Sequence, residues 1–240
     1  MALILCAALA WYLTFYGLQG MPAGPGTMGM GLPGFLGAWA LMMAAMMLPA
    51  LAPLTAMYLR SIRAVRDRRV RTARTAALIG GYLLTWTGFG LVAYAAAELG
   101  AWLASAAPAA APWVGAGLLV AAGAYQFTPL KDFCLRHCRS PVAFLLHVSG
   151  FKGALRDVRV GLYHGVYCVG CCWGLMVVLV TVGVMNLAWM AAIAAAIFLE
   201  KTWKYGLVFS RITGAALIGF AMFVPSHPEW LPGLYLSTAM

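Results

Sequence analysis

Residues 76–101 read A-A-L-I-G-G-Y-L-L-T-W-T-G-F-G-L-V-A-Y-A-A-A-E-L-G-A. Only Glu98 in this run carries a charge, and the run exceeds the roughly 20 apolar residues that cross a hydrocarbon core as a helix. Immediately before it stands R-S-I-R-A-V-R-D-R-R-V-R-T-A-R (60–74), in which Arg60, Arg63, Arg66, Arg68, Arg69, Arg71 and Arg74 face a single acid, Asp67. An apolar run that starts at a basic block is the pattern of a transmembrane helix whose arginines stay in the cytoplasm.

The rest of the chain repeats this alternation. Its 240 residues are 64% hydrophobic and 9% charged, against about one quarter charged in a soluble domain. Further apolar spans are expected at 2–20, 34–59, 113–130, 161–183, 185–203 and 206–224. Together they predict an all-α, polytopic membrane helix bundle of about seven transmembrane helices, with 1–240 as a single transmembrane domain. The first twenty residues lack Lys and Arg, so they read as a retained span and not as a secretory signal. The formal net charge of +10 does not point to nucleic acid, because the basic residues gather between spans. The lipid bilayer is the partner this composition predicts.

Segments 60–75 and 131–160 are expected to be basic cytoplasmic loops, the second carrying Lys131, Arg136, Arg139, Lys152, Arg156 and Arg159. Lys201 and Lys204 fall on the same side. Segments 21–34 and 104–112 contain no Lys or Arg and belong outside. The N-terminus is then cytoplasmic and the C-terminus external. Within the second basic segment, P-V-A-F-L-L-H-V-S-G-F (141–151) is apolar but too short to cross, and suits an amphipathic helix at the interface.

The chemistry lies in the fifth span. H-G-V-Y-C-V-G-C-C-W-G-L-M (164–176) sets three cysteines and a histidine in an apolar helix. At 100° per residue, His164, Cys168, Cys171 and Leu175 share one stripe, with Cys172 and Met176 on its shoulder. Gly170 with Gly174, and Gly161 with Gly165, make G-x-x-x-G pairs that invite close helix contact. The second span holds W-A-L-M-M-A-A-M-M-L-P (39–49), where Met42 stacks on Met46 and Met43 on Met47. Pro49 deprives the Ala45 carbonyl of its helical partner, which predicts a kink beside the four thioethers. Met46 and Met47 lie roughly 17 Å from the basic side, and Cys171 and Cys172 about 15 Å. A third group, K-D-F-C-L-R-H-C-R (131–139), places Cys134 and Cys138 four residues apart around His137. Outside, Met21, Met28 and Met30 would extend a broken ladder of soft ligands.

Sulfur ligands select Cu(I), zinc or iron–sulfur clusters, and methionine in quantity favours Cu(I). Zinc stays possible at the inner surface, where Cys134, Cys138, His164 and Cys168 would supply four ligands. Against these readings stands packing, since methionine and cysteine both fill apolar cores. Cys6 reads as inert, and His147 and His227 as interfacial or loop residues. Glu200 and Arg211, on consecutive spans near the inner edge, are expected to pair.

M-M-A-A-M-M-L-P (42–49), Y-Q-F-T-P-L-K-D-F-C-L-R-H-C-R-S-P (125–141), G-V-Y-C-V-G-C-C-W-G-L-M (165–176) and E-K (200–201) resemble a bacterial domain-of-unknown-function family of predicted metal-binding integral membrane proteins. The resemblance extends from about 35 to 210. It implies metal binding at Met42, Met43, Met46, Met47, Cys134, Cys138, Cys168, Cys171 and Cys172, in the inner membrane, without naming the ion.

Three functions compete. The first is a membrane protein that holds Cu(I) and moves it or hands it on, with a metallochaperone or another membrane subunit as partner. The second is a thiol–disulfide oxidoreductase built on the Cys168-x-x-Cys171 pair. The third is a structural or assembly protein with inert sulfurs. The G-x-x-x-x-G-K-[ST], H-E-x-x-H and G-x-S-x-G motifs are absent, so the chain carries no nucleotide motor of the first type and neither familiar hydrolase site.

Overall fold

A computed structural model describes residues 2–18, 24–184 and 186–235. Among these residues there are nine α-helices and no strand. They are α1 (Ala2–Leu18), α2 (Leu32–Ser61), α3 (Arg68–Ala106), α4 (Ala111–Tyr125), α5 (Pro129–Arg139), α6 (Pro141–His147), α7 (Arg156–Thr181), α8 (Leu187–Thr202) and α9 (Gly206–Ala221).

The all-α reading holds, but the count of seven spans is corrected. Among the described residues four helices are long and apolar enough to cross a membrane: α2, α3, α7 and the stretch Gly206–Ser226 that contains α9. The expected first, fourth and sixth spans form α1, α4 and α8, of 17, 15 and 16 residues, short of the roughly 20 that a bilayer core needs. Local chemistry sets these lengths. Thr128 caps α5 by accepting a hydrogen bond from the Lys131 N–H, with Pro129 at the first helical position. The apolar run therefore breaks after Tyr125 instead of continuing to 130. Asn186 likewise caps α8 through the Trp189 N–H.

The basic segments are more helical than loops. Asp67, the single acid among seven arginines, accepts from the Arg69 N–H at 2.7 Å and starts α3 at Arg68. Segment 131–160 contains most of α5, all of α6 and the start of α7. The short apolar stretch expected at 141–151 is α6, followed by a 3-10 turn over Val148–Gly150. Helix α2 runs unbroken through Pro49 and Pro53.

Helix α7 is central. It packs most extensively on α3, and also meets α4, α5 and α8. The glycine pairs explain the closeness. A Cβ on Gly161 would fall on the Leu78 carbonyl, and one on Gly165 would strike Thr85, both on α3. On the other side Gly170 faces Cys134 of α5, and Gly174 faces Ala122 of α4. Helix α2 packs on α1, α3, α6 and α8. Large apolar side chains on the outer surfaces of α1, α3 and α4, among them Leu5, Leu9, Leu91, Leu99, Trp102 and Trp113, are exposed.

Candidate metal centre

Helical spacing brings the α7 thiols together. Residues three and four apart lie on one face, and the Sγ atoms of Cys168, Cys171 and Cys172 all lie within 4.8 Å of one another. Cys171 Sγ is 3.2 Å from Cys172 Sγ and donates to the Cys168 carbonyl at 3.2 Å. All three residues are fully buried.

Helix α5 lies across this face. Gly170 lets it approach: a Cβ there would come within 2.8 Å of Cys134 Sγ. Lys131, Cys134 and Cys138 follow the i, i+3, i+7 spacing of one helical face. Cys138 Sγ reaches 3.8 Å from Cys171 Sγ. Cys134 is buried, while Cys138 is only partly so.

Charge surrounds the thiols. Lys201 Nζ, at the end of α8, donates to Cys168 Sγ at 2.7 Å, and Tyr82 Oη lies 2.9 Å from the same sulfur. Lys131 Nζ donates to Glu200 Oε2 at 2.7 Å and to the Cys171 carbonyl at 2.5 Å. Lys131 and Glu200 are both fully buried. Burial by itself would lower the pKa of the Lys131 ammonium. The adjacent Glu200 carboxylate more than offsets this and leaves it above the ordinary lysine value. Such a pair persists in a core only when each charge has its partner.

His164 sits one turn before Cys168 on the same stripe. Its ring is buried, lies obliquely over Tyr82 with centroids 5.8 Å apart, and meets the Phe144 ring edge-on at 4.9 Å. Its Nδ1 has no hydrogen-bond partner. A buried ring nitrogen without a partner is costly unless a ligand uses it. The three thiols form a donor set that fits a soft metal ion, with the Lys201 ammonium on one sulfur as a counter-charge and not as a ligand.

Met42, Met43, Met46, Met47 and Met176 are buried in the same continuous core as the thiols. Helix α2 enters that core from the side of α3 and α8. Met28 and Met30 pack half-buried against it, whereas Met21 lies outside the described residues. The four-ligand zinc arrangement of Cys134, Cys138, His164 and Cys168 does not gather; the group within ligand range among the described residues is Cys168, Cys171 and Cys172.

The expected Glu200–Arg211 pair is also corrected. Glu200 turns to Lys131, and Arg211 Nη2 pairs with Asp132 Oδ2 at 3.6 Å. Lys131 and Asp132 are neighbours on α5, so they point about 100° apart. One is buried against α8, and the other reaches outward to α9.

Three residues beside the thiols escaped the sequence reading: Lys131, Lys201 and Tyr82. The lysines read there only as marks of orientation. Lys131 carried a usable signal, because it shares the helical face of Cys134 and Cys138. Tyr82 carried none, since its contact with Cys168 spans 86 positions.

Comparison with curated proteins and with solved structures gave no match. The model of the PpoB2 family, described as a copper chaperone, matches residues 36–224. That match takes in most of α2 and all of α3 to α9, and with them the three thiols, both buried lysines and His164; the chain belongs to the PpoB2 copper-chaperone family.

Proposed function

We propose that the chain is a membrane-integral copper chaperone that carries Cu(I) on Cys168, Cys171 and Cys172 and hands it to a protein partner, a metallochaperone or another membrane subunit. Copper is the cargo. The observation that carries this reading is the buried thiol trio with the Lys201 ammonium on one sulfur. Two or three thiolates on Cu(I) leave net negative charge, and an unpaired charge in a core is expensive. Lys201 offsets it in place. His164, unpartnered at Nδ1 on the same stripe, is not part of the group within ligand range.

The four long apolar helices and the exposed apolar side chains of α1, α3 and α4 support placement in a bilayer. The arginine-rich segment between α2 and α3 supports a cytoplasmic position for that segment. The oxidoreductase alternative is less well supported. A disulfide-exchange pair needs two thiols, and Cys172 stands as a third, 3.2 Å from Cys171.

Metal analysis of the detergent-purified, anaerobically reduced protein tests the proposal. The wild type should retain stoichiometric copper in preference to zinc, and Cys171→Ser and Cys172→Ser should each lose most of it. Copper retained equally by all three proteins would defeat the assignment.

A further inference from the structure

The buried trio needs a way in. Cys138 is the partly exposed thiol nearest to it, 3.8 Å from Cys171. His137, the residue before Cys138, lines a groove of about 280 Å³ between α5 and α6 together with Arg136, Ser140, Ala143, Phe144 and His147. One wall, Phe144, is itself the ring that covers His164.

His137 is oriented in that groove for a ligand. Its Nδ1 lies 3.0 Å from the Phe133 carbonyl. A carbonyl oxygen only accepts, so Nδ1 carries the proton and Nε2 presents a lone pair in the neutral ring. A ring N–H held by a backbone carbonyl is the support that metal-ligating histidines commonly have. The ring is fixed further by stacking on Tyr167, with centroids 4.4 Å apart and planes 9° apart. Arg136 adds positive charge at the groove. Nearby Arg139 is already engaged with the carbonyls of Glu200, Trp203 and Lys204.

We propose that the α5–α6 groove is the loading port of the thiol trio, with His137 and then Cys138, neighbours that point about 100° apart on α5, serving as successive transient ligands for Cu(I) delivered as an anionic complex of a soluble thiol. This rests on the copper reading above. In the first exchange a Cu–S bond to the donor breaks and one to Cys138 forms, and the proton of Cys138 leaves on the donor thiol. In the second, Cys171 displaces Cys138 from the ion and its proton returns to Cys138. Copper stays Cu(I) in both exchanges.

The test separates rate from occupancy. Full-length protein in detergent is mixed anaerobically with Cu(I)–glutathione, and copper uptake is followed by stopped-flow ultraviolet absorption of the Cu–thiolate bond. Bound copper is then measured at equilibrium. Cys138→Ser and His137→Gln should each bind as much copper as the wild type but load it at least tenfold more slowly. Cys172→Ser should lose the bound copper instead. His137→Gln alters a ring at the edge of the fold, so its result stands even where Cys138→Ser disturbs packing. Loading within twofold of the wild type in His137→Gln overturns the port. So does a loss of equilibrium copper in Cys138→Ser as large as in Cys172→Ser, which would make Cys138 a resting ligand. A wild type that binds no copper defeats the copper reading itself, a result distinct from either of these.

Discussion

Two sulfur-rich regions share one core and differ in everything except burial. Met42, Met43, Met46 and Met47 on α2 are as inaccessible as Cys168, Cys171 and Cys172 on α7. In the core that holds the α2 methionines, α2 and α3 contribute large apolar rings: Phe35 stacks on Trp39, and Trp39 and Trp86 both meet Phe89. At the α7 thiols, α3, α5 and α8 bring a tyrosine hydroxyl, two lysines and a glutamate, and α7 itself carries the unsatisfied imidazole of His164. Thioethers pack well with aromatics and ask for nothing polar. Buried ammonium groups lower stability unless paired, so a chain that keeps one on a thiol and another on a glutamate beside the trio is spending stability on chemistry. What separates a site from a core is therefore the company the sulfur keeps, not the number of sulfurs.

The largest expected effect breaks the polar side of this comparison. Lys131→Met leaves the Glu200 carboxylate buried and alone. It should destabilise the protein by about 3–5 kcal/mol, read as a lower thermal unfolding midpoint in detergent by tryptophan fluorescence. Adding Glu200→Gln to it should restore most of that loss, because the uncompensated charge is gone. A double variant as unstable as the single one would mean that the pair contributes through packing and not through charge.

Next comes the contact that holds the thiol helix in place. Gly161→Ala drives a methyl onto the α3 backbone at Leu78, where no side chain can move aside, and should cost about 1–3 kcal/mol. Gly117→Ala on α4 meets nothing within 4 Å. It should be neutral or stabilise by up to about 1 kcal/mol, as alanine does in a helix. Equal midpoints for the two variants would show that α3 and α7 do not approach as closely as described.

The site and the fold were legible to different degrees. The stripe of His164, Cys168, Cys171 and Leu175, and the two G-x-x-x-G pairs, followed from helical period alone, because both lie within one helix. The break after Tyr125 was written in Thr128-Pro129, a cap and a first-turn proline, but the apolarity of 113–130 masked it. Position on consecutive spans near the inner edge pairs Glu200 with Arg211 in the sequence. The actual partner of Glu200, Lys131, is 69 positions away, and only the crossing of α5 over α8 brings them together. Tyr82 reached Cys168 through the α3–α7 contact in the same way. Periodicity reports what one helix presents; it says nothing about which helix arrives opposite.

The methionine side is tested by volume-conserving change. Met43→Leu with Met47→Leu keeps the core volume and should cost under about 1.5 kcal/mol per site. Copper content after anaerobic purification should equal that of the wild type if these thioethers serve packing alone. A drop in bound copper, with the unfolding midpoint kept, would move them from the packing side of the comparison to the ligand side.

The smallest effect belongs to the ion pair next door to the largest. Asp132 follows Lys131 on α5, yet its partner Arg211 is 58% exposed at the side chain, and the two groups stand 3.6 Å apart. Solvent screens such a pair, and exposed ion pairs contribute about 0–1 kcal/mol. Arg211→Ala should therefore shift the unfolding midpoint far less than Lys131→Met and leave bound copper unchanged. A large shift would mean that burial does not distinguish the two pairs. The buried lysine would then lose its standing as a mark of the metal centre, because its cost would be no greater than that of an ordinary surface contact one residue away.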